Sequence, residues 1–494
     1  NHLLKRKVVI PTKTRNESKS EKYIGAYVKD PQVGQHKWVM SFDLNSLYPH
    51  LIMQYNISPE MLLPQTMPYN DNTIDEMLSQ QIDLSMLPDA KVARTPNGAL
   101  FRTKKQGFLP EMMQEMYNDR TIYKKKMLTA KQQYEDTKDP KFLNDVSRFQ
   151  NIQMARKISL NSAYGAIGNE WFRYYDLKIA EGITTSGQLS IRWIEKALNG
   201  YLNKLLKSEG VDYVIASDTD SVYIRFDELV SKVLSKRVDE SEDSYRLRVV
   251  EFLNTIAQEK IEPFIDKSYQ NLAKYVNAYE QKMEMGREAI ADKGIWTAKK
   301  RYILNVHNNE GVQYAEPKLK VMGIEAVKSS TPQIVRDKFK KAYSLMLNST
   351  EAELQKFVAD FYEEFKSLPP EDVSFPRSVS DIEKWKDKYT VYKKGTPIHV
   401  RGALVCNKQI EKLNLSSEGI KNGSKVKFCY LKMPNPVMEN VISFNPFLPK
   451  EFGLHDHIDY EMQFNKTFKD PLKLVSDAIN LELEYINSLE GFFT

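Results

Sequence analysis

Residues 214–224 read Val-Ile-Ala-Ser-Asp-Thr-Asp-Ser-Val-Tyr-Ile, two short apolar and β-branched runs on either side of a polar turn. This pattern predicts a β-hairpin that carries Asp218 and Asp220 at its tip. Short acidic turns are common on protein surfaces, so this turn alone says little about function. Upstream, residues 38–49 (Trp-Val-Met-Ser-Phe-Asp-Leu-Asn-Ser-Leu-Tyr-Pro) predict a second strand that ends on Asp43 and turns into a helix.

Asp43 and Asp220 form a carboxylate pair if the two strand ends meet in the fold. Such a pair can hold two divalent ions, each of which steadies one of the two oxygens exchanged in an in-line phosphoryl transfer. Alternation places Asp43 on one face of a half-buried strand and Phe42 on the other. Asn45 and Ser46 can cap the following helix, whose free backbone N–H groups suit a phosphate. Taken alone, Asp43 could equally be no more than a capping residue.

Length and composition limit the class of protein. A chain of 494 residues suggests about three domains. No run of about 18 apolar residues predicts a membrane span, and no basic-then-apolar leader with a small-residue cleavage site is seen. The only cysteines, Cys406 and Cys429, have neither a disulfide framework nor a metal-binding spacing. These features predict a soluble intracellular protein, and residues 1–30 predict a linker or the remnant of an earlier domain.

The charge balance is mildly basic, with 71 Lys and Arg against 65 Asp and Glu and a net charge of +6. Basic residues cluster at 5–7, 124–126, 299–301 and 318–341, and several stand beside Tyr or Trp. Surfaces that follow a nucleic-acid backbone often have this composition. For any single cluster, a solvated helix face is the commoner explanation.

The middle of the chain predicts an antiparallel pair of long helices. Residues 112–137 contain no Gly or Pro and are rich in helix formers, residues 136–140 break the pattern, and a second helical run covers residues 142–164. On the second helix, Lys157, Asn161 and Tyr164 follow the i, i+4, i+7 spacing and share one stripe, and Arg120 and Lys124 repeat the i, i+4 spacing on the first. These side chains suit a phosphate, a polar contact and a stacked ring, although solvated helix faces commonly have such spacings.

The remaining pattern is mixed. It predicts a helix near residues 185–207, helical sequence over 244–275 divided or kinked at Pro263, a strand near 302–306, and a mainly helical, basic part from 323 with a β-rich insert over 398–429. At the start of the predicted strand, Lys300 and Tyr302 could belong to an ordinary sheet edge or could face a primer phosphate.

In sequence order, several segments resemble the polymerase motifs of family B DNA polymerases. Residues 43–49 (Asp-Leu-Asn-Ser-Leu-Tyr-Pro) resemble motif A, residues 157–165 (Lys-Ile-Ser-Leu-Asn-Ser-Ala-Tyr-Gly) motif B, and residues 218–221 (Asp-Thr-Asp-Ser) motif C. Segments 171–177, 315–323 and 328–332 resemble the replicative polymerases of tailed, myovirus-type bacteriophages in particular. The resemblance covers nearly the whole chain and concerns the polymerase portion only.

This resemblance implies an α+β multidomain fold of the right-hand polymerase type, with a mixed α/β palm, helical-hairpin fingers and a mainly helical thumb. The implied division is a linker at 1–30, palm at 31–108, fingers at 109–169, palm again at 170–323, and thumb at 324–494. The implied activity is template-directed, primer-dependent DNA synthesis from dNTPs by two-metal nucleotidyl transfer. Phage DNA replication in the cytoplasm of an infected bacterial cell, without membrane attachment, is the implied setting.

The resemblance also implies roles for individual residues. Asp43, Asp220 and the Leu44 carbonyl would hold two Mg²⁺ ions, with Mn²⁺ as a substitute, and Asp218 would lie nearby. The implied catalytic residues are Asp43, Asp218, Asp220 and Lys157. The implied dNTP-binding residues are Ser46, Leu47, Tyr48, Arg120, Lys124, Asn161 and Tyr164, with Tyr48 excluding a 2′-hydroxyl by its bulk. The implied DNA-binding residues are Gly165, Lys300, Tyr302 and Glu288.

Some features depart from the phage pattern. His50 stands where a serine is more usual, and Gly286 replaces a usual aspartate, so any role in metal or triphosphate binding there rests on Glu288. The predicted fingers are also short. No Asp-x-Glu exonuclease motif precedes Asp43, so we expect proofreading to be absent from this polypeptide and regard a separate exonuclease chain as a candidate partner.

The C-terminal residues add a further expectation. Leu489, Phe492 and Phe493 can share one helical turn, which resembles the terminal peptide by which such polymerases bind a sliding clamp. The alternative is that these phenylalanines fold back onto the chain. For the whole protein, the alternatives are a non-catalytic nucleic-acid-binding relative, against which the intact motif residues argue, and a polymerase that uses ribonucleotides or an RNA template.

Overall fold

The computed structural model describes residues 23–83 and 91–484, together with residue 3 and residues 10–12. The chain divides into two compact units. The first comprises Asn1–Gln32, His36–Lys293 and Asn305–Lys318, and the second Val33–Gln35, Gly294–Leu304 and Leu319–Thr494. Among the residues that the structure describes, no helix is long and apolar enough to cross a bilayer.

The first unit contains two sheets surrounded by helices. Its helices are α1 (Leu47–Gln54), α2 (Thr73–Leu78), α3 (Phe108–Thr137), α4 (Pro140–Ile167), α5 (Leu177–Leu206), α6 (Asp227–Val233), α7 (Glu242–Ile256) and α8 (Glu262–Tyr275). The strands are β1 (Gly34–Leu44), β2 (Leu62–Thr66), β3 (Val92–Arg94), β4 (Ala99–Arg102), β5 (Val214–Asp218), β6 (Ser221–Arg225), β7 (Met285–Ala298), β8 (Arg301–Asn309) and β9 (Val312–Met322). The last three strands continue into the second unit.

The larger sheet has the strand order β5-β6-β1-β7-β8-β9, and the smaller one the order β2-β4-β3. The predicted acidic hairpin is confirmed as β5 and β6, and β1 pairs antiparallel with β6 so that Asp43 lies opposite Ser221. The expectation of a half-buried β1 is wrong, because Val39 and Ser41 are as fully buried as Phe42 on the other face. β1 lies between β6 and β7 and is covered on both faces over residues 39–42, just before Asp43.

The predicted helical hairpin is also confirmed, as α3 and α4. α3 ends where Lys138 adopts a φ of 56°. Asp139 then caps α4 by accepting a hydrogen bond from the Lys141 backbone N–H at 3.0 Å, and Pro140 occupies the first turn, where its missing N–H costs nothing. The sequence signals for the end of one helix and the start of the next therefore lie next to each other.

Several predicted boundaries need correction. Helix α5 begins at Leu177, well before residue 185, because the Asp176 side chain caps it by accepting from the Ile179 N–H at 3.0 Å. The predicted division near Pro263 is confirmed, since a π-helical turn at Ala257–Ile261 separates α7 from α8. Strands β7 and β9 were not predicted.

The second unit has a helical cluster and a small sheet with separate cores. Its helices are α9 (Gln333–Asn348), α10 (Glu351–Lys366), α11 (Pro370–Val373), α12 (Ile382–Trp385), α13 (Ile398–Lys412), α14 (Tyr460–Phe464) and α15 (Asp470–Asp477). A π-helical turn spans Asn465–Lys469, and short 3₁₀ turns span Glu325–Val327, Lys450–Phe452 and His455–His457. The strands are β10 (Phe375–Ser378), β11 (Lys386–Asp387), β12 (Val391–Tyr392), β13 (Lys425–Tyr430) and β14 (Val441–Phe444), of which β10, β13 and β14 form one sheet.

The predicted β-rich insert over residues 398–429 is wrong in its first half. Residues Ile398–Lys412 form α13, which packs on β14. A Cβ atom added at Gly402 would lie 2.6 Å from Ser443 Oγ, so the glycine lets helix and strand approach closely. Tertiary packing has overridden the strand preference of the Val and Ile residues.

Candidate active site

A cleft of about 640 Å³ opens in the first unit. Its walls come from the end of β1, the start of α1, facing stripes of α3 and α4, the tip of the β5–β6 hairpin, and β7 with the β8–β9 turn. The predicted site residues that line it are Asp43, Leu44, Ser46, Leu47, Tyr48, Arg120, Lys124, Lys157, Asn161, Tyr164, Asp220 and Glu288. Segments that are far apart in sequence therefore meet around one cleft.

The two strand ends with the carboxylates are hydrogen-bonded to each other. The Leu44 backbone N–H donates to the Asp220 carbonyl oxygen at 2.8 Å, one residue beyond the pairing of Asp43 with Ser221. On the other side of the hairpin tip, the Thr219 N–H donates to the Tyr27 carbonyl oxygen at 3.0 Å. The tip is therefore held from both sides.

The environment of Asp220 makes its negative charge costly. Burial, followed by the nearby Asp218 carboxylate, raises the pKa of Asp220 to about 6, and Glu288 adds to the rise. Lys157 acts in the opposite direction and lowers this pKa. A site that gathers carboxylates in a poorly hydrated place is suited to a bound cation, which would offset the repulsion.

The predicted side-chain cap of α1 is not formed. Ser46 occupies the N-cap position with a φ of 48°, and its side chain makes no capping hydrogen bond. Its Oγ instead accepts from Arg120 Nη1 at 2.6 Å. Arg120 also donates from Nε to Gln153 Oε1 at 3.4 Å, and burial lowers the pKa of its guanidinium. Arg120 thus links α3 to the start of α1 at the wall of the cleft.

Two tyrosines form one wall of the cleft. The rings of Tyr48 and Tyr164 lie 4.4 Å apart, and the Tyr164 hydroxyl lies at hydrogen-bond distance, 3.1 Å, from that of Tyr23. Behind Tyr48, a Cβ atom at Gly187 would lie 3.3 Å from the ring. Burial raises the pKa of Tyr48 to about 12, so its hydroxyl stays protonated at neutral pH.

The remaining polar wall has both signs of charge. Lys124 Nζ forms an ion pair with Glu310 Oε1 at 2.6 Å. Glu288 accepts from the Ser41 hydroxyl at 3.1 Å, and the same Ser41 oxygen accepts from the Ala289 N–H at 3.1 Å. Buried Ser41 therefore sets the position of the Glu288 carboxylate beside β1.

His50 is accounted for within the protein. Its side chain is buried, its Nδ1 donates to the Ser46 carbonyl oxygen at 3.0 Å, and its ring meets the edge of Tyr117 at 4.3 Å. Burial lowers the pKa of His50. These contacts make it a neutral packing residue behind the cleft.

Four predicted residues do not line the cleft. Asp218 is half-buried at the end of β5, where its Oδ1 accepts from the Thr219 hydroxyl at 3.0 Å. Gly165 is exposed on α4. Lys300 and Tyr302 belong to the second unit, in which the buried Tyr302 ring stacks on Trp296 at 5.5 Å. The clamp-binding residues Leu489, Phe492 and Phe493, and the basic cluster at 5–7, lie outside the described residues.

The structure adds cleft residues that sequence reasoning missed. Glu310, Lys131 and Gln153 line the cleft, and Gly187 packs behind Tyr48. For two of these four residues, Glu310 and Gly187, the local sequence contained a structural signal. Glu310 precedes Gly311 between two apolar runs, which is typical of a two-residue hairpin turn, and Gly187 interrupts a long helix, which indicates a close approach.

The donor groups of the cleft suit a divalent cation that is also bound by water and phosphate. Among residues 23–83 and 91–484, no group of three or more His, Cys, Asp or Glu side chains is arranged to hold a metal ion. Two carboxylates and a backbone carbonyl nonetheless suit Mg²⁺, which usually keeps several waters and binds through one or two carboxylates plus substrate phosphates. The residues present fit such an ion.

Comparison with known proteins finds one matching protein family. Residues 1–243 match the sequence model of DNA polymerase family B, and the alignments with curated relatives extend over nearly the whole chain. The chain is therefore similar to DNA polymerases of family B, whose model matches just under half of its residues.

Two phage proteins show the relationship in detail. The chain is 32% identical over 539 residues to the DNA-directed DNA polymerase of Enterobacteria phage T4, covering 98% of this chain and 58% of that protein. It is 34% identical over 529 residues to the DNA-directed DNA polymerase of Escherichia phage RB69, covering 95% and 57%. A more distant match, 27% identical over 348 residues, is DNA polymerase beta of African swine fever virus, covering 67% and 27%. The chain thus spans less than two thirds of the length of these relatives.

Proposed function

We propose that this chain carries out template-directed, primer-dependent DNA synthesis, transferring nucleotides from dNTPs to a primer end. The observation that carries the proposal is the meeting of Asp43, Asp220 and four cationic side chains of a helical hairpin in one cleft. Phosphoryl transfer requires carboxylates that hold metal cations and, opposite them, cationic side chains that face the phosphates. Its catalysis is mainly positioning and charge stabilisation.

Asp43 and Asp220, with the carbonyl oxygen of Leu44, are the residues that would hold two Mg²⁺ ions, for which Mn²⁺ can substitute. When bound, such ions stabilise the attacking and leaving oxygens of the in-line displacement. The protein contributes two carboxylates fixed by the β1–β6 pairing. The negative charge of Asp218, which raises the pKa of Asp220, is repulsion that a bound cation would offset.

Arg120, Lys124 and Lys157 are proposed to neutralise the triphosphate, with Asn161 as a further contact on the same helical stripe. The Ser46 and Leu47 N–H groups at the start of α1 are proposed phosphate donors. Support comes from the Ser46 side chain, which is engaged by Arg120 and makes no capping hydrogen bond. First-turn N–H groups left without a side-chain cap are suited to an anion.

Tyr48 is proposed to exclude ribonucleotides, and Tyr164 and Gly165 to line the nascent base pair. The Tyr48 ring is confined between Tyr164 and Gly187, so it has little room to retreat from a 2′-hydroxyl. A Cβ atom added at Gly165 would meet no atom within 4 Å beyond its own stretch of helix, so close packing does not require glycine there. A glycine is consistent with space kept for the DNA.

The rest of the proposal concerns organisation and partners. The α3–α4 hairpin is proposed as the fingers, the sheets with their flanking helices as the palm, and residues 324–494 as the thumb. The residues proposed to contact the DNA are Lys300, Tyr302 and Glu288. A sliding clamp at the C-terminal peptide and a separate exonuclease chain are proposed partners, and the cytoplasm of an infected bacterium is the proposed location.

Primer extension by the purified chain tests the activity. With Mg²⁺, the chain is expected to add dNTPs to a primed template, and Asp43→Asn or Asp220→Asn is expected to reduce addition by about a thousandfold or more while leaving primer–template binding intact. Asp119→Asn is the matched control, because it makes the same chemical change on α3 at an ion pair with Arg156 outside the cleft lining. Extension by both cleft variants at the control rate would refute the assignment, and binding of DNA without extension by the unmodified chain would favour the non-catalytic relative.

A further inference from the structure

The turn between β8 and β9 places a carboxylate against a cation of the cleft. Glu310 and Gly311 form this two-residue turn with φ values of 49° and 85°, as a tight hairpin of this kind requires. The Glu310 N–H donates to the Glu288 carbonyl oxygen at 2.6 Å, which fixes the turn on β7. The backbone position of Glu310 is therefore set by the sheet.

Lys124 reaches this carboxylate from α3. Its Nζ lies 2.6 Å from Glu310 Oε1, with the two side chains 26% and 30% exposed. Both residues line the cleft with Arg120, Lys131 and Lys157. Four cations around one cleft repel each other, so Glu310 lowers the cost of holding Lys124 there before a polyphosphate arrives.

The pair can separate without moving the helix, because three more contacts tie α3 to β9. Gln132 Oε1 accepts from the Gln313 N–H at 3.0 Å, Lys131 Nζ donates to the Tyr314 hydroxyl at 3.1 Å, and Glu135 pairs with Lys318. With Lys124, the three α3 residues follow the spacing of one helical stripe, i, i+7, i+8 and i+11. A change of partner at Lys124 then requires only a side-chain movement.

We propose that Glu310 is a displaceable counter-ion of Lys124, which competes with the nucleotide's polyphosphate for this lysine. The proposal rests on the proposed function, since it takes the ligand to be a nucleoside triphosphate or the pyrophosphate released from it. Glu310 pre-positions Lys124 in the empty cleft and lowers affinity for both ligands. Glu310 weakens the binding of substrate and of transition state equally. It therefore changes KM and product affinity and leaves kcat unchanged.

The size of the effect follows from the exposure of the pair. Partly exposed ion pairs contribute modestly to stability, and losing one competitor of this kind corresponds to about a 1.5- to 5-fold change in an equilibrium constant. Glu310→Gln is therefore expected to lower the KM for dNTP and the Kd of pyrophosphate by about that factor. Glu310→Asn serves as a second variant. Asn followed by Gly is especially favourable in this turn, so this variant is expected to fold.

The experiment measures dNTP and pyrophosphate binding to the full chain on a primer–template whose primer end lacks a 3′-hydroxyl. Glu310→Gln, Lys124→Met and the double variant form a cycle, with Asp119→Asn as the control for loss of one negative charge on the first unit. Glu310→Gln and Glu310→Asn are expected to tighten binding of both ligands, and the gain is expected to disappear in the Lys124→Met background.

Each outcome decides a separate question. A gain that persists without Lys124 would show that Glu310 repels phosphate directly, which overturns the exchange. Unchanged affinity in folded Glu310 variants, or the same gain in Asp119→Asn, would also overturn it. If the unmodified chain binds no dNTP at all, the proposed function itself fails.

Discussion

A methyl group added at Gly187 is expected to displace the ring of Tyr48, the residue proposed to exclude ribonucleotides. Gly187 lies within α5, and a Cβ atom there would be 3.3 Å from Tyr48 Cε1, 3.5 Å from Leu47 Cδ2 and 3.6 Å from Leu51 Cδ1. The first contact is tight enough that the Tyr48 ring must shift by a few tenths of an ångström. On its other side the ring meets Tyr164 at 4.4 Å, so it can shift only towards the cleft or by repacking α1.

Two opposing terms set the effect on stability. Replacing glycine by alanine inside a helix stabilises by about 0.5–1 kcal/mol, because the unfolded chain has less freedom to lose. Overpacking a filled site costs about 1–3 kcal/mol. Gly200 lies on the same helix with no atom within 4 Å of its added Cβ, so Gly200→Ala is subject to the first term only. Gly187→Ala is therefore expected to be about 1–3 kcal/mol less stable than Gly200→Ala.

Kinetic measurements distinguish strain at the nucleotide site from a general loss of stability. If about 1.4 kcal/mol of the strain falls on the bound nucleotide, kcat/KM for dNTP drops about tenfold in Gly187→Ala, whereas Gly200→Ala keeps the unmodified value. Urea unfolding midpoints with a shared slope give the stability difference, and single-nucleotide addition gives kcat/KM. Equal stability and equal kinetics in the two variants would refute the argument that Gly187 makes room for Tyr48.

Three further predictions concern single side chains. Tyr48→Ala should raise kcat/KM for rNTPs relative to dNTPs, since its ring would no longer meet a 2′-hydroxyl, and an unchanged ratio would mean that another group discriminates. Lys157→Ala should raise the KM for dNTP and slow incorporation without weakening DNA binding, because a triphosphate charge loses its partner; a defect confined to DNA binding would place Lys157 elsewhere. Gly402→Ala should lower the unfolding midpoint of the second unit by the equivalent of about 1–3 kcal/mol, because its Cβ would lie 2.6 Å from Ser443 Oγ and 2.7 Å from the Ser443 backbone nitrogen, and calorimetry showing no change would contradict the close packing.

The parts of the fold that were predictable have strong local signals. The β5–β6 hairpin has alternating apolar runs around a short polar turn, and the α3–α4 hairpin has a stop and a start signal within four residues, Lys138 to Lys141. Neither depends on distant contacts for its secondary structure. The spacing of Arg120 with Lys124, and of Lys157 with Asn161, indicated which residues share one side of each helix, and only the family resemblance indicated that these sides face a substrate.

The parts that were not predictable depend on long-range contacts. Strand β7 contains two glycines and several charged residues, and its buried Arg287 donates to Asn254 and Asn308, which lie on α7 and β8. No local pattern reveals that these groups will be satisfied in an interior strand. For the same reason the sequence indicated Lys124 as a phosphate ligand but gave no sign that Glu310 would be its partner.

The backbone departs from local rules on both sides of the carboxylate pair, as it also does at other turns of the chain. Ser46, three residues after Asp43, has a φ of 48°, and Thr219, directly before Asp220, has a φ of 60°. Both are non-glycine residues in the left-handed region, and for β-branched Thr219 this conformation is especially costly. Hydrogen bonds from Arg120 to Ser46 Oγ and from the Thr219 N–H to the Tyr27 carbonyl oxygen hold these conformations in place. Strain that the surrounding structure maintains is typical of functional sites, so the backbone supports the same site that the carboxylates and cations define.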